Sequence, residues 1–202
     1  MQDTHQTLFA RYPAMARYFL NRLYGGADFD VLVQQLQRIL GKAHKVEKLV
    51  PESTVKTGLL GVELAVLAIE LDEQLALWWQ EKHPDVLAPT DALMLEAYQV
   101  LAQDQQRLHQ MDLLDQLGEK LDQYVRSFMV QSVFKLARAS AHKHHLGELY
   151  EFIGEGFVAM KPLKNAAEFV GQFTAAERDT IARVHQRHPD PFLRGQPHLE
   201  MS

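Results

Sequence analysis

Apolar residues recur every three or four positions along most of this chain, the spacing that places side chains on one face of an α-helix. The clearest stripe consists of Leu117, Leu121, Val125, Phe128 and Leu136. No convincing run of alternating β-branched residues, which would indicate strands, accompanies these stripes. We therefore predict an all-α protein folded as a single compact bundle of about six or seven helices.

Glycine, proline and capping residues divide the first half of the chain into three predicted helices. The first should cover Pro13 to Tyr24 and close at Gly25-Gly26, because glycine readily adopts the left-handed conformation that ends a helix. Asp28 should cap the second helix, which Gly41 breaks or bends. The third should run from Pro51 to about Trp79, and it is the most apolar of all.

The pattern continues in the second half of the chain. Thr90 is expected to cap a fourth helix that reaches about Met111, where a fifth helix follows or joins it. Residues 141–146 read as a basic, His-rich connection to a sixth helix, which ends before Pro162. Because their apolar stripes are longest, the third and fifth helices should be the most buried.

Two capping boxes mark the C-terminal part of the chain. Asn165 with Glu168, and Thr174 with Glu177, predict a short helix followed by a last long helix that ends near residue 189. We see no linker or internal repeat, so residues 1–189 should form a single helical domain. Residues 190–202 contain several helix-breaking residues and should form a flexible C-terminal tail.

Composition limits the classes of partner that the protein can have. The formal net charge is −5 and the basic residues are dispersed, which argues against binding nucleic acid or an anionic membrane. The chain has no cysteine, which excludes disulfides, thiolate catalysis and thiolate-bound zinc. Neither a signal peptide nor an apolar segment long enough to span a bilayer is evident. These features predict a soluble cytoplasmic protein.

The sequence lacks the common catalytic motifs. It contains neither Glu-x-x-His nor His-Glu-x-x-His, neither a Walker phosphate loop nor Gly-x-Ser-x-Gly. These absences argue against di-iron bundles, zinc proteases and P-loop hydrolases. We predict no cofactor, and the sequence leaves open whether the protein is an enzyme.

Carboxylates on the third helix are the candidate ligand-binding residues. Glu63 and Glu70 share a thin polar stripe with Gln74, whereas Asp72 lies on the opposite side of the helix. That side carries small residues such as Gly61, which would let a neighbouring helix approach closely and bury Asp72. With an Arg or His from another helix, these carboxylates would form a polar site inside the bundle. The alternative is a solvated stripe with a structural Asp–Arg or capping contact.

Histidines and aromatic residues give weaker signals. The cluster His142 to His145 lies on a predicted connection, where histidines form at most an adventitious metal site, so we predict no metal. Haem ligation by His83 or His109 is disfavoured because the helical context does not fit a globin. Trp78 and Trp79 are neighbours that point about 100° apart, which allows one of them to face outward, while most other aromatic residues should belong to the core.

The segment Phe19-Leu20-x-x-Leu23-Tyr24-Gly25-x-x-Asp28-Phe29 resembles the hallmark of an uncharacterised, mainly proteobacterial protein family. Similar pieces follow at Leu117-Gly118-x-x-Leu121-Asp122 and within residues 146–157, so that the resemblance spans roughly residues 10 to 185. The chain departs from the family pattern at Gly26, where proline is usual. The resemblance implies an all-helical bacterial protein and supplies no activity or catalytic residue.

Two functional hypotheses remain. The first is a non-enzymatic helical protein that binds a protein partner or forms a homo-oligomer through exposed apolar helix faces. The second is a small-molecule site, with or without catalysis, that includes Glu63, Glu70 and Asp72. A contiguous apolar patch on the surface would favour the first hypothesis.

Overall fold

The computed structural model describes residues 6–23, 29–40 and 52–192. Every regular element in those ranges is helical, which confirms the all-α prediction. None of the described helices combines the length and apolar content needed to cross a bilayer. In chain order they are α1 (Gln6–Arg11), α2 (Pro13–Tyr18), a π-helical turn (Phe19–Leu23), α3 (Phe29–Leu40), α4 (Glu52–Lys82), α5 (Asp91–Leu101), α6 (Asp104–Arg126), α7 (Phe128–Lys143), α8 (Gly147–Met160) and α9 (Ala166–His185).

The N-terminal region contains more breaks than the predicted single helix from Pro13 to Tyr24. Pro13 occupies the first turn of α2, where its missing N–H is harmless, and α1 precedes it as a separate helix. α2 then passes into the π-helical turn Phe19–Leu23, which holds an extra residue and so changes the direction of the side chains that follow. The predicted cap at Gly25 to Asp28 and the predicted break at Gly41 lie outside the described residues.

The boundaries between the central helices also differ from the prediction. The chain breaks at Ala102, which adopts the left-handed conformation with φ 50°, rather than near Met111. A second break falls at Ser127, whose side-chain oxygen accepts a hydrogen bond from the Val130 N–H at 3.3 Å and caps α7. Phe128 and Leu136 therefore belong to a separate helix from Leu117, Leu121 and Val125, although the sequence placed all five in one apolar stripe. Nothing in the sequence marks Ala102, because alanine rarely adopts a positive φ.

Two predicted helix caps are confirmed. The Thr90 side-chain oxygen accepts a hydrogen bond from the Leu93 N–H at 3.3 Å and starts α5. Asn165 accepts from the Glu168 N–H at 3.0 Å and starts α9. Such side chains satisfy amide groups that the first turn of a helix leaves without partners. The sixth predicted helix is α8, and it ends before Pro162 as expected.

The second capping box, at Thr174 and Glu177, does not start a helix. α9 runs without interruption from Ala166 to His185, and Thr174 is fully buried in its interior. Its hydroxyl donates to an Asp115 carboxylate oxygen on α6 at 2.6 Å. The prediction of two helices is wrong because a threonine followed by glutamate at this spacing also fits a helix interior, where threonine makes a tertiary contact.

α9 is the centre of the core, in contrast to the prediction for the third and fifth helices. It contributes seven buried residues, whereas the described side chains of α4 include two, Thr57 and Leu71. α9 packs along α6 at Gly118, where an added Cβ would come within 2.9 Å of Val170. Phe173 lies 5.0 Å from the ring of Phe19 in the π-helical turn. The buried cluster around these helices includes Phe9, Met15, Phe19, Met160, Leu163, Phe169 and Phe173.

Candidate functional site

A polar cluster lies where α4 and α5 meet the start of α6. Its centre is Gln103, the residue before α6, which is 2% exposed. Its amide nitrogen donates to Gln74 Oε1 on α4 at 2.8 Å, and its oxygen accepts from Arg107 Nη2 at 3.0 Å. Gln103 and Arg107 can meet because residues four apart share one face of a helix. The cluster therefore links α4 to α6 through a satisfied buried amide.

Arg107 also packs on an aromatic ring. Its guanidinium carbon lies 4.5 Å from the centre of the Tyr98 ring on α5, a geometry that favours cation–π attraction. The Arg107 Nε is buried and has no hydrogen-bond partner among the described residues. A buried donor without an acceptor costs stability unless water or a ligand satisfies it. Arg107 is thus the group in this cluster with unused hydrogen-bonding capacity.

Asp72 is the predicted site residue that reaches this cluster. Partial burial raises the pKa of its carboxyl, and the nearby Arg107 charge opposes that rise. Burial likewise raises the pKa of the Tyr98 phenol, with Arg107 lowering it and the charges of Asp72 and Glu177 raising it further. Asp72 remains exposed to solvent, which screens these interactions. The cluster thus combines a carboxylate, a guanidinium and a phenol within mutual electrostatic reach.

The structure does not bring Glu63 and Glu70 into the same site. Glu63 is exposed and lies 3.4 Å from the exposed His109 Nε2 on α6. Glu70 is exposed and has no hydrogen bond or ion pair with any other described residue. Within the described part of the chain, the close approach expected at Gly61 is also absent, since a Cβ added there would meet no described atom within 4 Å. Of the three candidates, Asp72 alone shares a cluster with other polar groups among the described residues.

A second group of charges joins α6 to α9. Arg178 Nη2 lies 2.7 Å from an Asp112 oxygen and 2.8 Å from an Asp115 oxygen. The other Asp115 oxygen accepts the hydrogen bond from the buried Thr174 hydroxyl. Because both carboxylates bind partners on α9, this group is a structural clamp between the two helices that form the core.

α7 differs from the other long helices because none of its residues is buried. Met129, Val133 and Leu136 fall within about 60° of one another around the helix axis, at 100° per residue, and Phe128 lies about 80° from Leu136, on the flank of this sector. We call these four residues the α7 apolar face. Their exposed fractions are 86% for Phe128, 70% for Met129, 62% for Val133 and 82% for Leu136.

The opposite side of α7 packs on α8 through aromatic contacts. The ring of Phe134 stacks on Tyr150 with centroids 4.3 Å apart and planes 3° from parallel, and it meets Phe157 edge-on at 5.1 Å. The Tyr150 hydroxyl donates to the Phe134 carbonyl oxygen at 3.1 Å. α7 therefore has two apolar sides, and one of them is already used within the fold.

The predicted His-rich connection is partly helical. α7 continues to Lys143, so His142 lies in its last turn and residues 144–146 form the connection. His142 Nε2 lies 3.2 Å from Glu151 Oε1 on α8, and the Arg138 guanidinium lies 3.4 Å from the same oxygen. Within the described ranges, no three His, Asp or Glu side chains are grouped so as to hold a metal ion.

Sequence reasoning did not identify the residues around Asp72. No sequence motif includes Tyr98, Gln103 or Arg107. The pattern that could have indicated Gln103 and Arg107 is their four-residue spacing next to a helix start, which places them on one face. Trp78 and Trp79 are both half-buried. Four exposed apolar residues lie together on α7, where the sequence pattern suggested core.

Comparison with known proteins is consistent with the resemblance found in the sequence, at the level of a family without an assigned activity. No curated protein and no solved structure matches the chain. A family described as "Domain of unknown function (DUF8198)" matches residues 1–191, which is nearly the whole chain. The protein therefore belongs to the DUF8198 family.

Proposed function

We propose that this protein acts without catalysis and binds a segment of another protein on the α7 apolar face. The observation that carries the proposal is the exposure of Phe128, Met129, Val133 and Leu136 on a helix with no buried residue. Contiguous exposed apolar patches on proteins commonly mark sites of association. An amphipathic helix that already packs one side on its own protein offers the other side as a fixed docking surface.

A segment of another protein fits this face better than a second copy of the chain does. α7 has 16 residues, so it is about 24 Å long and presents a face about 10 Å wide. Such a face covers a few hundred Å², below the roughly 800 Å² per partner that is typical of stable complexes. A peptide or helix that lies along α7 needs no larger surface, and its binding would be reversible.

The test is a comparison of three forms of the protein as bait. Val133→Ser/Leu136→Ser removes two of the four side chains of the α7 apolar face. Val158→Ser removes a similarly exposed apolar side chain from α8 as a control. We expect identified proteins to be captured equally by the wild type and the control and to be lost with the double variant, as measured by quantitative mass spectrometry. Solution size should show a monomer.

Two outcomes would overturn the proposal. Equal capture by all three forms would mean that the α7 apolar face is not the docking surface. A wild-type dimer that Val133→Ser/Leu136→Ser converts to a monomer would mean that a second copy occupies the face. Circular dichroism of each form would confirm that the helices are intact.

A second candidate function is a small-molecule site at the polar cluster, with Asp72 as its carboxylate and Glu63 and Glu70 at greater distance along α4. The unsatisfied Nε of Arg107 favours this candidate, because an anionic ligand group would accept its hydrogen bond. A high-resolution crystal structure of the protein, purified without a histidine tag, should then show a ligand on Arg107. A water molecule in that position, with no ligand, would exclude this role for the isolated protein.

A further inference from the structure

The charge of α7 differs from that of the chain as a whole. Residues Phe128 to Lys143 include Lys135, Arg138 and Lys143 and no aspartate or glutamate, whereas the complete chain has a net charge of −5. α7 therefore combines an exposed apolar face with charged side chains that are all basic, whereas the rest of the protein carries a net negative charge. This local reversal of sign gives the docking surface an electrostatic preference.

The basic residues of α7 fall into two groups. Arg138 lies near Glu151 on α8, as His142 does, so these side chains serve the contact within the fold. Lys135 and Lys143 are exposed and form no ion pair with any described residue. The two lysines are therefore the charges of α7 that remain available to a partner.

The position of the two lysines relates them to the apolar face. Lys143 follows Leu136 by seven residues, and Lys135 follows Phe128 by seven, so each continues a line of apolar side chains along the helix. Lys143 thus lies at the C-terminal end of the α7 apolar face, about 20° from Leu136 around the helix axis. Lys135 lies on the flank beside Phe128, about 100° from Leu136. A partner that covers the whole face, including Phe128, comes close to both ammonium groups.

We propose that the partner segment is an acidic amphipathic helix. Its apolar side packs on the α7 apolar face, and its carboxylates lie opposite Lys143 at the end of the face and Lys135 on the flank beside Phe128. This inference rests on the proposed function and adds the chemical class of the partner. Opposite charges at the rim of an interface speed association and exclude partners of the wrong sign.

A second copy of α7 does not have the charge for this position, because the helix contains no aspartate or glutamate to place opposite the two lysines. An anionic membrane surface is also less suited. Two free lysines are a weak basic patch compared with the clusters that hold proteins on such membranes, and the net charge of −5 opposes the approach. Charge complementarity therefore favours the acidic helix, and binding to membranes becomes an outcome of the test.

The experiment is selection from a displayed library of helical peptides. Each peptide has a fixed leucine stripe and random residues at the flanking positions, and the immobilised bait is the full-length protein. Counter-selection against Val133→Ser/Leu136→Ser removes peptides that bind elsewhere. We expect the remaining peptides to be enriched in Asp and Glu at the flanking positions. Their affinity should fall by about tenfold for Lys135→Glu/Lys143→Glu and should weaken with added salt.

The results separate this inference from the proposed function. Selected peptides with neutral or basic flanks would contradict the acidic class while the docking surface stands. If no recovered peptide requires Val133 and Leu136 for binding, both the acidic class of the partner and the docking surface itself are contradicted. Binding of the wild type to vesicles with 30% phosphatidylserine, lost in Val133→Ser/Leu136→Ser, would replace the acidic helix by a membrane surface. If the double serine variant does not fold, Lys135→Glu/Lys143→Glu still provides the test, because it changes only exposed side chains and should leave the fold intact.

Discussion

α9 and α7 are both long helices with apolar residues at helical spacing, yet they have opposite roles in the molecule. α9 has 20 residues and buries seven of them, whereas α7 has 16 and buries none. α9 lies between α6 and the N-terminal segments, while α7 uses one side on α8 and leaves the other in solvent. The comparison shows that an apolar stripe indicates what a helix can bury, and that the surrounding helices decide whether it does so.

The largest difference is expected when the same substitution is made on the two helices. Phe173→Ala removes a ring that is 1% exposed and should lower the free energy of unfolding by about 3–5 kcal/mol. Phe128→Ala removes a ring that is 86% exposed and should change it by less than about 0.5 kcal/mol. Urea denaturation measures both. Similar losses for the two variants would mean that α7 is packed against other parts of the protein.

A smaller difference in the free energy of unfolding is expected when a buried hydroxyl group on α9 and an exposed one on α7 are removed. Thr174→Val keeps the shape of the side chain but leaves an Asp115 oxygen without its donor, and it should cost about 1–3 kcal/mol. Ser140→Ala on α7 removes a hydroxyl from an exposed position and should be nearly neutral. Thermal unfolding of the two variants provides the measurement. An unaffected Thr174→Val would show that Arg178 alone satisfies Asp115.

The close packing of α6 on α9 can be probed with glycine substitutions. The Cβ in Gly118→Ala would come within 2.9 Å of Val170, and overpacking of this kind costs about 1–3 kcal/mol. Because alanine favours helices more than glycine does, by up to about 1 kcal/mol, the net loss in the free energy of unfolding should be modest. The Cβ in Gly171→Ala on α9 would meet no atom of the described residues within 4 Å, so this substitution should stabilise the protein. Equal gains for both substitutions, measured by chemical denaturation, would contradict the tight contact.

The smallest effect is an expected dependence on pH at the start of α9. Hydrogen bonds from Arg126 are the main cause that lowers the pKa of Asp122; burial opposes it, and the Ala166 N–H lowers it further. A lowered folded-state pKa stabilises the protein above the unfolded value of about 3.9, and this contribution disappears as the pH falls through the folded-state pKa. The stability lost in Asp122→Asn should therefore be largest near neutral pH and vanish in acid. A constant difference between pH 7 and pH 2 would contradict the role of the charge.

The sequence predicted the class of the fold well, because helical periodicity and caps such as Thr90 and Asn165 depend on local interactions. It failed where tertiary contacts decide the result. Ala102 ends α5 in a conformation that alanine rarely adopts, and Thr174 turned out to be a buried contact instead of a cap. The predicted fifth helix contained both Val125 and Phe128, although the chain breaks at Ser127 and the two residues belong to different helices.

The candidate sites illustrate the same limit. Asp72 was identified from its position on the third helix, and it does lie near an arginine from another helix. The identity of that arginine, Arg107, depends on how α4 and α6 pack, which no local pattern specifies. The outward direction of Leu136 could not be predicted either, because α7 carries apolar residues on two sides and Phe134 takes the inner position.

The exposure of the α7 apolar face can be measured directly, because the chain has no cysteine and one introduced thiol gives an unambiguous signal. The reaction rate of Leu136→Cys with a thiol reagent should be nearly the same in the folded protein as in urea, since exposed thiols react freely. Val184→Cys, at a position that is 3% exposed on α9, supplies the protected reference. A Leu136→Cys thiol as slow to react as that reference would contradict the claim that α7 presents its apolar face to a partner.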